Sequence, residues 1–154
     1  LGTESVLNNS VLIAALIAWA IAQTVKLPLE YIRDRRWDWS LLLRAGGMPS
    51  SHSALVTAVA HGIGLTEGFT SPLFALGVAM AMIVIYDATG IRRQAGRHAE
   101  IINALVQDLF EGHALRQEQL REVLGHSPME AFVGMVLGLV VAQTVISFWP
   151  LWTV

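Results

Sequence analysis

The chain has 154 residues, 54% of them apolar and 14% charged, with a formal net charge of −2 and no cysteine. A soluble domain of this size carries about 25% charged residues, so the composition excludes an ordinary water-facing surface and points to a membrane. The lack of cysteine excludes a disulfide framework, a thiol nucleophile and a thiolate metal site.

Four stretches contain no Asp, Glu, Lys or Arg: Ser5–Val25, Ala45–Thr66, Gly68–Tyr86 and Ala131–Val154. A helix needs roughly 20 residues to cross a hydrocarbon core of about 30 Å, and the first and last stretches meet that length. The first lacks a basic leader and a small-residue cleavage site, which separates it from a cleaved signal peptide. A start at Leu1 rather than Met suits a trimmed terminus. In the second stretch only Ala54–Leu65 is well suited to a span, about 18 Å of helix at 1.5 Å per residue. Pro72–Tyr86 is slightly longer. This middle pair either spans fully or forms a shorter hairpin shielded by the other helices, and both arrangements return the chain to the same side.

All ten basic residues lie in two connections, Lys26 to Arg44 and Arg92 to Arg121. Four passes place both on one face, which the positive-inside rule makes cytoplasmic or its organellar equivalent, with the termini opposite. Trp37 and Trp39 beside Arg35 and Arg36 suit the membrane interface. The second connection, residues 91–125, reads as extramembrane and helical. Ile101, Ile102, Leu105, Val106, Leu109 and Phe110 recur at spacings of three and four, opposite Glu100, Gln107, Asp108 and Glu111. Gly112 interrupts it before a second amphipathic piece, Ala114–Leu124. These helices are expected to pack on the helix ends or lie on the membrane surface. The predicted fold is therefore all-α. It is a polytopic bundle of about four transmembrane or membrane-embedded helices with amphipathic cytosolic-side helices, forming one domain over residues 1–154.

Three polar clusters fall on the basic face. Lys26 and Arg33 are seven residues apart, two helical turns, and so project from one helix face. Both are also ordinary topology signals, and Glu30 is placed to pair with Lys26. The second cluster runs from Gly46 to Ser53. Its glycines permit unusual backbone angles, and Ser50 or Ser51 caps the helix after Pro49. Such a helix start offers N–H groups and a positive dipole end to a phosphate, and His52 in its first turn suits a general acid. The third cluster is Arg121, His126 and Glu130, followed by Gly134 and Gly138. Ser127-Pro128-Met129-Glu130 is a capping box with Pro at the first helical position, so Glu130 serves as cap, as orienter of His126, or as both. The two glycines fit close helix approach, and they leave room for a homo-oligomer. His61, which interrupts a span, reads as a helix-packing or loop-facing histidine rather than a ligand.

Taken in order, these clusters resemble the superfamily of type 2 phosphatidic acid phosphatases and vanadium haloperoxidases. Its pattern is Lys-x6-Arg-Pro, then Pro-Ser-Gly-His, then Ser-Arg-x5-His-x3-Asp. Here Lys26-x6-Arg33 precedes Asp34, Pro49-Ser50-Ser51-His52 has Ser for Gly, and Arg121-x4-His126-x3-Glu130 is one residue shorter with Glu for Asp. With the stretch from Tyr86 to Asn103, the combination is similar to the divergent PAP2 family of small membrane proteins.

The resemblance implies a metal-independent phosphatase without a cofactor. His126 would attack phosphorus, Glu130 would hold its tautomer, and His52 would protonate the leaving oxygen. Lys26, Arg33, Ser50, Ser51 and Arg121 would bind the phosphoryl oxygens. Arg92-x5-His98 has the family's arginine–histidine spacing, but Ile occupies position 102. Arg92 or Arg93 is therefore an alternative phosphate ligand, and His98 the alternative nucleophile. The implied partners are a membrane and a lipid phosphate (phosphatidylglycerophosphate, phosphatidic acid or a polyprenyl diphosphate), with no nucleic acid. The implied setting is a bacterial cytoplasmic or organellar membrane, with the site on its cytoplasmic or stromal face. The competing readings are a non-catalytic phospholipid-binding scaffold and, behind it, a small lipid transporter.

Overall fold

The computed structural model describes residues 6–35, 37, 39, 47–109 and 127–149, and every regular element among them is helical. A 3-10 turn (Val6–Asn8) leads into α1 (Ser10–Asp34), followed by α2 (Ser51–Glu67) and α3 (Pro72–Tyr86). A π-helical segment, Asp87–Ile91, joins α3 directly to α4 (Arg92–Leu109), and α5 covers Pro128–Phe148.

The helix starts follow from their capping residues. The Asn9 side chain accepts from the backbone N–H of Leu12 at 2.9 Å to open α1, and Ser71 does the same for Phe74 at 3.1 Å ahead of α3. Pro72 and Pro128 occupy the first turns of α3 and α5, where a missing N–H costs nothing. Helix α1 runs well past its charge-free stretch, through Lys26 and Pro28 to Asp34. It stops at Arg35, which adopts the left-handed conformation at φ 54° and donates its backbone N–H to the carbonyl of Tyr31. Beyond that end Trp37 stacks on Tyr31 at 4.6 Å, and Trp39 lies 6.1 Å from Trp37, an aromatic group of the kind that sits at headgroup level.

The interior is made of small side chains. Ala14, Ala15, Ala18 and Ala22 of α1 meet Ala54 and Ala58 of α2 and Val141 and Ala142 of α5. Large apolar residues face outward instead, among them Leu16, Trp19, Leu76, Met82, Ile83, Phe132 and Val140. Small residues inside and large ones outside is the arrangement expected when lipid tails surround the helices, because association then depends on close backbone approach. Helix α2 is the hub, packed against α1, α3 and α5, with α1 also meeting α5.

Three helical stretches are long and apolar enough to cross a membrane: Ser10–Ile32, Pro72–Asn103 and Pro128–Phe148. The 17-residue α2 is about 25 Å long at 1.5 Å per residue, and its neighbours shield it. It forms an antiparallel hairpin with α3 through a tight turn, where Gly68 has φ 91° and its carbonyl accepts from the N–H of Ser71 at 3.1 Å. No loop separates α3 from the second connection, because the helix passes through one π turn and continues. The predicted amphipathic character of α4 is present, with Ile101, Ile102 and Leu105 all exposed along it. Its main contact is with the π segment. The break expected at Gly112 and the second amphipathic piece, Ala114–Leu124, lie outside the described residues.

Candidate functional site

The C-terminal part of α1 and the N-termini of α2 and α5 meet at one end of the bundle. The N–H of Ser50 donates to the carbonyl oxygen of Glu130 at 3.0 Å, tying the start of α2 to the first turn of α5. Below that contact the two helices come as close as backbones can. A Cβ on Gly134 would strike the carbonyl oxygen of Ser50 and lie 3.0 Å from the Ser53 Cβ, and one on Gly138 would strike the carbonyl oxygen of Ala54. The paired glycines therefore serve helix approach, as their spacing predicts.

Ser50 is the N-cap of α2. Its Oγ accepts from the N–H of Ser53 at 3.3 Å and from the Ser53 hydroxyl at 3.1 Å. The preceding Met48–Pro49 bond is cis, and Gly47 has φ 81°, a left-handed backbone that glycine adopts readily. The ideal Cβ position on Gly47 lies 3.8 Å from Lys26 Cδ, so this turn runs alongside the lysine stem.

Lys26 is only 3% exposed. Its ammonium donates to Gln23 Oε1 one turn back on α1 and to Ser51 Oγ at 3.5 Å. The carboxylate of Glu130 is near enough for its charge to act on that ammonium. A lone buried ammonium would be costly, and this set of acceptors accounts for its tolerance here. Glu130 also completes the capping box of α5: its Oε2 accepts from the N–H of Ser127 at 3.3 Å, while Ser127 Oγ accepts from the N–H of Glu130 at 3.2 Å.

Of the residues singled out in the sequence, Lys26, Ser50, Ser51 and Glu130 thus come together from three separate segments. His52 lies in the first turn of α2, with its side chain exposed. Arg33 lies on α1 seven residues beyond Lys26, and Arg92 and Arg93 open α4. His98 is exposed on α4. His126 and Arg121 lie outside the described residues. His61 is away from the cluster, its Nε2 3.0 Å from Gln143 Oε1 and its ring 5.9 Å from Phe69, as a packing histidine would be.

Sequence reasoning missed Gln23 and gave no role to Ser53, the last residue of the second cluster. Both are buried beside the residues it named. The available signal was their spacing: Gln23 precedes Lys26 by three residues, which puts an amide and an amine on one helix face, and Ser53 follows the Ser50 cap by three.

An all-helical bundle with lipid-facing apolar surfaces and a buried polar cluster at one end defines an integral membrane protein. A family model described as the Divergent PAP2 family matches residues 7–141, and the chain belongs to that family. It is similar to the uncharacterized membrane protein YuiD of Bacillus subtilis (strain 168), with 42% identity over 153 residues, covering 92% of this chain and 97% of that protein. No solved structure gives a significant match.

Proposed function

We propose that this protein is a lipid-phosphate phosphatase that works through a phosphohistidine intermediate without a metal. The observation that carries the reading is the meeting of Lys26, Ser51 and Glu130. Each belongs to a different one of the three family motifs, and the fold gathers them at one end of the bundle.

In this reading a ring nitrogen of His126 attacks phosphorus in line with the bond to the lipid oxygen. The N–P bond forms as the P–O bond breaks, and His52 gives its proton to the departing oxygen. Water then attacks phosphorus and gives a proton to His52 as the N–P bond breaks, releasing inorganic phosphate and restoring both histidines. Glu130 holds the His126 tautomer and offsets the imidazolium charge. Lys26, Arg33 and Arg121, or Arg92 or Arg93 in place of Arg121, neutralise the equatorial oxygens, while Ser51 at the start of α2 presents its backbone N–H and Ser50, whose N–H is held by the Glu130 carbonyl, shapes that helix start. The substrate is a phosphomonoester or diphosphate of a lipid, of the phosphatidylglycerophosphate, phosphatidic acid or polyprenyl diphosphate class. Its headgroup would meet the cluster on the cytoplasmic or stromal face, as the placement of the basic residues favours.

The test is phosphate release from these lipids by purified protein in the presence of chelator. Turnover that His126→Ala and His52→Ala each abolish supports the mechanism. A wild type that binds the lipids and releases nothing favours the second reading, a phospholipid-binding scaffold. That reading draws support from the engagement of Glu130 as a helix cap.

A further inference from the structure

We propose that Gln23 is the positioning residue of the phosphate cradle, a neutral acceptor that holds the Lys26 ammonium in place without cancelling its charge. The inference rests on the phosphate-binding reading above and assigns a role to a residue outside all three motifs.

Five polar or charged side chains are buried among the described residues: Gln23, Lys26, Ser50, Ser51 and Ser53. All five lie at the end of the bundle where α1 meets the start of α2. Ser50 and Ser53 are occupied with the helix start. Ser51 lies at the long limit of hydrogen bonding from Lys26, at 3.5 Å. Gln23 makes the close contact with Nζ, so among these side chains it fixes the direction of the ammonium.

The choice of an amide has a physical consequence. Among the described residues, the Glu130 carboxylate is the charge that acts on the Lys26 ammonium. A carboxylate at position 23 would fit the same space and bind the ammonium more tightly. It would also set a second negative charge beside the ammonium, which opposes an incoming phosphate in a setting where screening by water is weak. An apolar residue of the same length would keep the charge and lose the aim. Gln supplies the hydrogen bond alone.

Lys26 is the only lysine in the chain, which makes the proposal directly measurable. Protein labelled with 13C and 15N in lysine and held in maltoside micelles gives a single lysine side-chain signal. It is titrated with inorganic phosphate and, separately, with short-chain phosphatidic acid, for wild type, Gln23→Glu and Gln23→Met. Wild type is expected to shift with the ligand. A shift with phosphatidic acid alone still supports the proposal and assigns the ligand to a lipid headgroup. Gln23→Glu is expected to weaken binding at least about tenfold with the unfolding midpoint preserved. Gln23→Met should move the Lys26 signal before any ligand is added and weaken binding several-fold. If Gln23→Glu binds phosphate like wild type, the role of Gln23 is wrong while the cradle stands, and if Gln23→Glu does not fold, unchanged binding by Gln23→Met decides the same point. A wild-type signal that neither phosphate moves removes the cradle and the role of Gln23 together.

Discussion

The backbone N–H of Ser50 donates to the carbonyl oxygen of Glu130 at 3.0 Å, so the first residues of α2 and α5 are joined main chain to main chain. Both groups belong to helix starts. The contact needs no particular side chain, but it does need the two backbones to be close. Gly134 and Gly138 provide that closeness, one beside Ser50 and the other beside Ala54. The polar cluster is therefore held by a seam of small residues running down from it.

Substituting the seam should thus damage the fold and the site together. Gly138→Ala places a methyl group against the carbonyl oxygen of Ala54 and the backbone N–H of Ala58, whose nitrogen would be 3.1 Å away. Neither is a flexible chain end that can move aside. Overpacking of this kind costs about 1–3 kcal/mol. We expect a lower unfolding midpoint in detergent for Gly138→Ala, and a larger fall for Gly134→Leu. A midpoint equal to wild type in both would mean that the seam opens easily.

Glu130 serves both a helix end and, in the proposed mechanism, a histidine, and two substitutions separate these roles. Ser127→Ala removes the hydroxyl that accepts from the Glu130 N–H, a loss of about 1 kcal/mol for a capping residue. Glu130→Gln keeps an oxygen able to accept from the Ser127 N–H but discards the negative charge. Stability should fall mainly in the first variant, and phosphate release mainly in the second, at least about tenfold for a lost orienting charge. Full turnover in Glu130→Gln would assign the residue to the helix end alone.

Much of this arrangement was legible in the sequence because it depends on local chemistry. The Ser50 and Ser127 caps, the capping box and the small-residue pair each have a fixed spacing, and each appears where that spacing puts it. The all-helical class followed from composition. Other features depended on tertiary contacts. The charge-free window ends at Val25 and α1 continues to Asp34, as the two-turn spacing of Lys26 and Arg33 assumed, but the burial of Lys26 against the start of α2 depended on packing. The sequence of the short α2 suits either a span or a shielded hairpin, and its central packing against three other helices could not be read from it. The π turn at Asp87–Ile91 has no period of its own to read. Gln23 looked like one amide in an apolar run until its partner was visible. His126 and Arg121, which the family pattern singles out, lie outside the described residues, so their roles rest on that pattern.

Lys26 can be tested without relying on Gln23. Lys26→Met is close in length and removes the buried charge, at some cost in stability because the nearby Glu130 carboxylate loses that cation. Its stem runs beside Gly47, so Lys26→Arg must fit a broader head group into the same space. We expect Lys26→Met to remain a monodisperse membrane protein and to lose phosphate release by about a hundredfold or more, as removal of a charge-stabilising donor does. Lys26→Arg should recover little of it. Recovery of most activity in Lys26→Arg would show that charge alone is needed, and that the aim of the ammonium matters less than the buried geometry suggests.

The last prediction concerns a residue expected to have no part in the chemistry. An ionisable side chain within a membrane span is by default a functional candidate, and His61 in α2 fits that description. Its environment argues otherwise. Nε2 is 3.0 Å from Gln143 Oε1 on α5, and Gln143 Nε2 in turn donates to Ser147 Oγ at 3.1 Å, a polar link between two helices away from the Lys26 cluster. Interhelical hydrogen bonds of this type average about 0.6 kcal/mol in membranes and reach about 1.7. Gln143→Leu should therefore lower the unfolding midpoint slightly, and His61→Phe similarly, with phosphate release unchanged in both. The double variant should be less damaged than the sum of the two, because the partners share one bond. Loss of turnover in His61→Phe at intact stability would instead give this intramembrane histidine a part in the reaction and require a path from it to the cluster at Lys26.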